Sequence, residues 1–211
     1  THQTGVAGIH VDRNTGKNSI TVVRGAPASF TKGEIDINVI KKSKIFLTQL
    51  EIPIDVTLYC LKKAKESGLV NILNPAPACK LDKEFFSLAD YFTPNEAEAE
   101  FYTGVKINNE NDAKESAKKL LELGLKKVII TLGEKGLFYS DGKEEIYIKA
   151  LPFKKVEDTT GAGDAFNGGL AYALSKNKNI KECLNIANQV AGLSTLKLGA
   201  GNSMPSLTDL K

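Results

Sequence analysis

Residues Asp158-Thr159-Thr160-Gly161-Ala162-Gly163-Asp164-Ala165-Phe166 put a glycine-rich turn directly ahead of an apolar helical stretch. A helix start presents N–H groups without intrahelical partners and the positive end of the helix dipole, so it suits an anion. Small residues at Gly161, Ala162 and Gly163 let a phosphate approach the backbone closely. Asp164 falls in the first helical turn, where a negative side chain sits favourably against the dipole. From there it can accept a proton from an attacking hydroxyl during phosphoryl transfer. Taken alone, the same segment also reads as a capped helix with a structural glycine turn, because such turns are common.

The rest of the composition narrows the chemistry. Arginine occurs only as Arg13 and Arg24, so anion chemistry elsewhere falls to lysine, a metal ion or backbone N–H groups. The only histidines are His2 and His10, which argues against a histidine triad or a multi-histidine metal site. Cys60, Cys79 and Cys183 are odd in number and far apart, as expected for a reducing compartment and not for a zinc site. The 28 basic and 25 acidic residues leave a net charge of +3. The densest basic patches, Lys41, Lys42 and Lys44, and Lys114, Lys118 and Lys119, lie beside acids at helical spacing without interleaved aromatics. They read as solvated helix faces, and nucleic acid is not the expected partner. No apolar run reaches membrane-spanning length and no signal peptide is evident, so a cytoplasmic protein with no membrane partner is expected.

The elements that must position these residues follow from periodicity. Residues Gly5 to Asp12 and Ser19 to Arg24, around Asn14-Thr15-Gly16, predict a β-hairpin. Short apolar runs at Lys44 to Leu50, Leu69 to Leu73, Tyr91 to Thr93 and Lys127 to Thr131 predict strands. They alternate with helices over Ile54 to Ser67, Asn95 to Thr103 and Asn111 to Leu123, a βαβ pattern that implies a mainly parallel sheet with helices on both faces. Gly136 to Asp141 and Glu145 to Ala150 predict a second hairpin on that sheet, followed by a strand ending near Val156. Helices near Ala162 to Ser175 and Ile180 to Leu196 close the chain. A length of 211 residues suits one α/β domain, or one domain plus a small appendage. In such folds ligands bind beyond the carboxyl ends of the strands.

Four further segments begin at or just past predicted element ends: Asn74 to Ala78 (NPAPA), Thr93 to Glu100 (TPNEAEAE), Thr131 to Gly136 (TLGEKG) and Gly199 to Pro205 (GAGNSMP). Singly, NPAPA is a rigid turn, TPNEAEAE a proline stop before an acidic helix start, and TLGEKG a hairpin glycine pair. In this order and at these spacings, together with DTTGAGD, they resemble the ribokinase branch of the ribokinase-like carbohydrate kinase family, over essentially the whole chain.

The resemblance implies a three-layer, Rossmann-like α/β fold and transfer of the ATP γ-phosphoryl group to a sugar hydroxyl, most specifically D-ribose to ribose 5-phosphate. It implies Asp164 as catalytic base and Gly161, Ala162 and Gly163 as backbone anion hole. Asn95 and Glu98 match the pair serving the phosphates and hydrated Mg²⁺, a use of carboxylate that suits a cation which keeps its waters. Thr131, Gly133 and Gly136 match a nucleotide-contacting turn, and Asn188 an adenine neighbour. Asp158, Thr160, Ser194, Lys197, Gly199 and Ser203 match an activating K⁺ site, several of them through carbonyls, and Lys197 only so. Glu51 matches a sugar-contacting glutamate; it also reads as a solvated loop acid before Pro53.

The resemblance further implies that residues 1–26 are part of a β-lid that covers the sugar and mediates a homodimer, with residues 27–211 the nucleotide-binding and catalytic domain. The family's N-terminal glycine-rich sugar motif and its hydroxyl-gripping aspartate are not in this sequence. The expectation is therefore a chain that keeps base, anion hole and nucleotide site but lacks most of the sugar grip, and is a poor kinase by itself. Two alternatives stay open: a kinase of the same family acting on another sugar or a nucleoside, and a non-catalytic nucleotide-binding remnant.

Overall fold

The computed structural model describes residues 2–16 and 18–210. Strands β1 (Val6–Val11) and β2 (Asn18–Val23) form the predicted antiparallel hairpin as a separate two-stranded sheet. A short helix α1 (Ile37–Lys41), capped by the Asp36 side chain accepting from Asn38 N–H, leads into the main sheet. That sheet has six strands in sequential order: β3 (Ile45–Thr48), β4 (Val70–Leu73), β5 (Tyr91–Phe92), β6 (Val128–Thr131), β7 (Leu137–Ser140) and β8 (Glu145–Ile148). The pairings from β3 to β6 are parallel and those from β6 to β8 antiparallel, so the expected mainly parallel sheet with a terminal hairpin is present.

Helices α2 (Ile54–Glu66), α3 (Lys83–Leu88), α4 (Glu96–Thr103) and α5 (Glu110–Glu122) connect the parallel strands. Crossovers of one hand that advance in one direction along a sheet fall on one face. Accordingly Leu61, Phe85, Phe86, Ala99, Ala117 and Leu120 pack with Leu73, Phe92, Val128, Ile130 and Phe138 in one apolar cluster. The alternate strand residues Ile72, Tyr91, Ile129, Leu137 and Tyr139 point the other way. They meet Phe166, Leu170, Cys183, Leu184 and Ala187 of α6 (Ala162–Ser175) and α7 (Ile180–Ser194) in the second cluster. The result is a three-layer α/β fold, and both terminal helices lie within a residue or two of their predicted bounds.

One expectation fails. The segment 149–158 forms no strand near Val156; the two backbone donors of Glu157 and Asp158 both reach Thr195 O, at 2.9 and 3.3 Å, just past α7. Its apolar alternation is broken by Pro152 and the Lys154-Lys155 pair, and its donors are spent on a helix end instead of a ladder. Among the described residues no helix is long and apolar enough to cross a membrane.

Candidate active site

The carboxyl ends of the parallel strands β3, β4 and β5 lie by the start of α6, linked to it through Gln49, Asn74 and Thr93. Backbone bonds continue the ladder past each strand, Asn74 N–H donating to Thr48 O (3.0 Å), Thr93 N–H to Leu73 O (3.0 Å) and Thr131 N–H to Pro94 O (2.9 Å). Four polar residues, Gln49, Asn74, Thr93 and Thr131, are thereby presented on one rim.

Helix α6 begins at Gly161, which takes the left-handed conformation (φ 76°) and offers no side-chain cap. The left-handed backbone is what calls for glycine here; a Cβ would also press on Met204 Cε at 3.1 Å, a contact the flexible side chain can relieve. Ala165 N–H donates to Gly161 O (2.8 Å) and Ala162 N–H to Thr159 O (3.2 Å), whereas the Gly163 and Asp164 N–H groups have no protein acceptor among the described residues. Gly163 differs from Gly161: a Cβ on it would meet no protein atom within 4 Å. Asp164 is exposed, with Oδ1 accepting from Gln49 Nε2 at 3.0 Å. It shares with Glu51, Gln49, Asn74, Asn167 and Pro27 the wall of a cleft of about 470 Å³. The predicted base and the predicted sugar contact therefore face the same space, and Glu51 is exposed to it.

Asn95 and Glu98 form a reciprocal capping box on α4: Glu98 N–H donates to Asn95 Oδ1 (2.8 Å), and Asn95 N–H and Nδ2 donate to Glu98 Oε2 (2.8 Å) and Oε1 (3.0 Å). Glu98 is only 7% exposed, unlike an ordinary helix-surface acid. Burial pushes its carboxyl above the usual range, and the Asn95 donors reverse that only partly. Asn95 also bridges to Thr131 in parallel register, which joins the capping pair to the start of the TLGEKG turn.

In that turn Gly133 and Gly136 have positive φ, 54° and 108°. Leu132 N–H donates to Gly136 O (2.8 Å), and a Cβ at Gly136 would fall 1.9 Å from Ile148 O and 2.8 Å from the Lys149 carbonyl carbon. Asn188 on α7 donates from Nδ2 to Lys149 O (2.9 Å), so Gly136 and Asn188 meet through Lys149 at one edge of the sheet. Gly136→Ala is expected to destabilise the fold by about 2–4 kcal/mol, from overpacking combined with the positive φ. Chemical denaturation checks this; a change within error would mean that β8 yields without cost.

Of the residues matched to a cation site, the structure links three directly. Asp158, 2% exposed, accepts at Oδ1 from Thr160 N–H (2.8 Å) and Oγ1 (2.6 Å), and at Oδ2 from Gly199 N–H (2.9 Å). Burial pushes its carboxyl up, but these donors outweigh it and hold the group below the ordinary carboxylate range. Ser194 and Ser203 are buried nearby, their hydroxyls donating to Ala191 O and Ala200 O, both at 2.7 Å. Lys197 is exposed. The set offers oxygen ligands only, which suits a hard cation and not a soft metal. Among the described residues no cluster of three His, Cys, Asp or Glu side chains forms a transition-metal site.

The sequence reading passed over Gln49, Thr93 and Asn167 as individuals. Asn167 was accessible from its i,i+4 relation to Gly163; Gln49 was not, because its partner Asp164 lies 115 residues away. It also missed the contacts of the hairpin turn with the glycine-rich loop. Gly16 O accepts from Thr159 N–H (3.0 Å) and Oγ1 (3.1 Å), and Asn18 Nδ2 donates to Thr159 Oγ1 (3.1 Å).

The chain as a whole is similar to known proteins. The chain is 39% identical over 208 residues to a bifunctional ribokinase/ribose-5-phosphate isomerase A of Fructilactobacillus sanfranciscensis, covering 97% of this chain and 38% of that protein. It is 36% identical over 212 residues to a ribokinase of Staphylococcus aureus, covering 99% of this chain and 69% of that one. Among solved structures, Arabidopsis thaliana ribokinase complexed with ribose and ATP superposes with a TM-score of 0.89 at 30% identity, over 99% of this chain and 68% of that chain. The model of the pfkB family carbohydrate kinases matches residues 1–207, taking in the hairpin, the sheet and the glycine-rich loop alike, and the chain belongs to that family.

Proposed function

We propose that this chain carries the phosphoryl-transfer site of an ATP-dependent sugar kinase whose acceptor is the 5-hydroxyl of D-ribose. The observation that supports it best is the start of α6: an exposed carboxylate, Asp164, beside N–H groups that no protein atom satisfies, on the cleft that holds Glu51. Asp164 takes the proton of the sugar hydroxymethyl as its oxygen bonds to the γ-phosphorus and the bond to the β,γ-bridging oxygen breaks, releasing ADP. The N–H groups of Gly161, Gly163 and Asp164 receive the charge of the transferring group, while Ala162, whose own N–H is held by Thr159 O, contributes the small side chain that keeps the turn open. Thr131, Gly133, Gly136 and Asn188 border the nucleotide.

Asn95 and Glu98 fit a hydrated Mg²⁺, since their oxygens are pre-ordered by the capping box and a nearby cation offsets the cost of burying the Glu98 charge. When bound, the ion neutralises phosphate charge. Asp158, Thr160, Ser194, Lys197, Gly199 and Ser203 fit a monovalent cation, K⁺, which would hold the loop on which the anion hole is built.

The hairpin acts as a lid over the sugar in a cytoplasmic homodimer, residues 1–26 forming this unit and residues 27–211 the catalytic one. Ile9, Ile20 and Val22, 42%, 47% and 57% exposed, share one face of the hairpin, an apolar strip suited to a second copy. Sedimentation velocity on the intact protein tests this, and a monomer at micromolar concentration would contradict it.

Glu51 is the sugar contact on this side of the cleft. Glu51→Gln is expected to raise the ribose KM about 10-fold, the scale of losing a charged hydrogen bond, with the ATP KM unchanged. Steady-state kinetics in both substrates check this, and an unchanged ribose KM would remove Glu51 from the sugar site. A panel of ribose, deoxyribose and nucleosides tests the choice of acceptor.

A further inference from the structure

The first turn of α6 is gripped from two sides by a closed ring of polar side chains. Gln49 Nε2 donates to Asp164 Oδ1 (3.0 Å) and to Asn74 Oδ1 (3.1 Å). Asn74 Nδ2 donates to Thr93 O (2.7 Å). The Thr93 hydroxyl donates to Asn167 Oδ1 (2.8 Å), and Asn167 Nδ2 donates to Gly163 O (2.9 Å). Gly163 and Asp164 are joined by a peptide bond, which completes the circuit.

Three members can only accept: the ionised Asp164 carboxylate and the carbonyls of Thr93 and Gly163. They fix every amide in the ring, because turning any one of Gln49, Asn74 or Asn167 over would set acceptor against acceptor. Asn74, Thr93 and Asn167 are 7%, 1% and 4% exposed, so water does not compete for the Asn74–Thr93 and Thr93–Asn167 bonds and an unmet partner there is costly, whereas the Gln49–Asp164 bond at the other end of the ring is exposed. The ring spans the ends of β3, β4 and β5 and the start of α6, tying the NPAPA and TPNEAEAE segments to the GAGD turn.

We propose that Gln49, Asn74, Thr93 and Asn167 are positioning residues for phosphoryl transfer, Gln49 occupying one carboxylate oxygen of Asp164 so that the other faces the acceptor hydroxyl, and Asn167 holding the Gly163–Asp164 peptide of the anion hole. This rests on the kinase reading above. The two grips fix the base relative to the anion hole, and that relative placement is what in-line transfer needs.

Gln49→Met keeps the length of the side chain and removes its donors. In the intact protein it is expected to lower kcat about 10- to 100-fold, the scale of a misplaced catalytic group, with the ATP KM unchanged and the thermal midpoint lowered by a few degrees as Asn74 Oδ1 loses its donor. Gln49→Glu, which sets oxygen against both Asp164 and Asn74, lowers kcat at least as far. Thr93→Val lowers kcat and Thr93→Ser, which restores the hydroxyl, recovers most of it; a role in packing alone would not separate these two. If Gln49→Met instead raises the sugar KM at unchanged kcat, Gln49 is a sugar contact and the ring proposal is overturned. Wild-type kcat in both Gln49→Met and Thr93→Val overturns it as well. Asp164→Asn in the same assay separates the two levels. If it silences turnover while the ring variants do not, only the ring falls; if it leaves turnover intact, the kinase reading falls with it.

Discussion

Replacing Asp164 with asparagine is expected to lower kcat about 10²- to 10⁴-fold, the range general-base catalysis supplies, while the ATP KM and the thermal midpoint stay put. The side chain is exposed, and its one side-chain partner among the described residues is the Gln49 amide at 3.0 Å. Asparagine can present its carbonyl to that same donor, so the ring around the helix start survives. What disappears is the capacity to take a proton. A rate within a few-fold of wild type would show that the hydroxyl loses its proton elsewhere, and Asp164 would then be no more than a helix-start anion.

Gly163→Ala should separate stability from catalysis. The position is helical without a positive φ, and a Cβ there meets no protein atom within 4 Å. The fold has no need of glycine at this site, so alanine is expected to cost no stability and to add up to about 1 kcal/mol through helix propensity. In the proposed function, the open space beside it is where the transferring group approaches the backbone. A methyl group there is expected to lower kcat about 10²- to 10³-fold, as loss of an oxyanion donor does. Gly161 could not serve for this test, because its left-handed φ of 76° makes folding and function inseparable. Denaturation midpoints and kcat measured on one preparation check both signs. Full activity in a folded Gly163→Ala protein would mean that the phosphoryl group does not pass over this turn.

Much of the architecture was legible because it is written in local patterns. The runs that became β3, β4 and β6 are continuous apolar stretches of the kind a sheet covered on both faces demands. Helix α6 could be read to its bounds because the glycine turn marks its start. What escaped was short or non-local. Helix α3 has six residues, and its core pair Phe85-Phe86 is adjacent, so no three-four spacing announces it. The segment up to Val156 has apolar residues but no strand to pair with, a fact fixed by the position of Thr195 and invisible in the segment itself. The site divides the same way. Asp164, Glu51, Asn95 and Glu98 stand in recognisable motifs, whereas the contacts from Gln49 to Asp164 and from Thr93 to Asn167 depend on which strand ends lie side by side.

The most direct test of the central claim is ADP release from ATP by the intact protein, with and without D-ribose, with the product identified by NMR. The account predicts ADP formation that depends on ribose, one ribose 5-phosphate appearing per ATP consumed. ATP consumption indifferent to any sugar or nucleoside acceptor, or none at all, would contradict it.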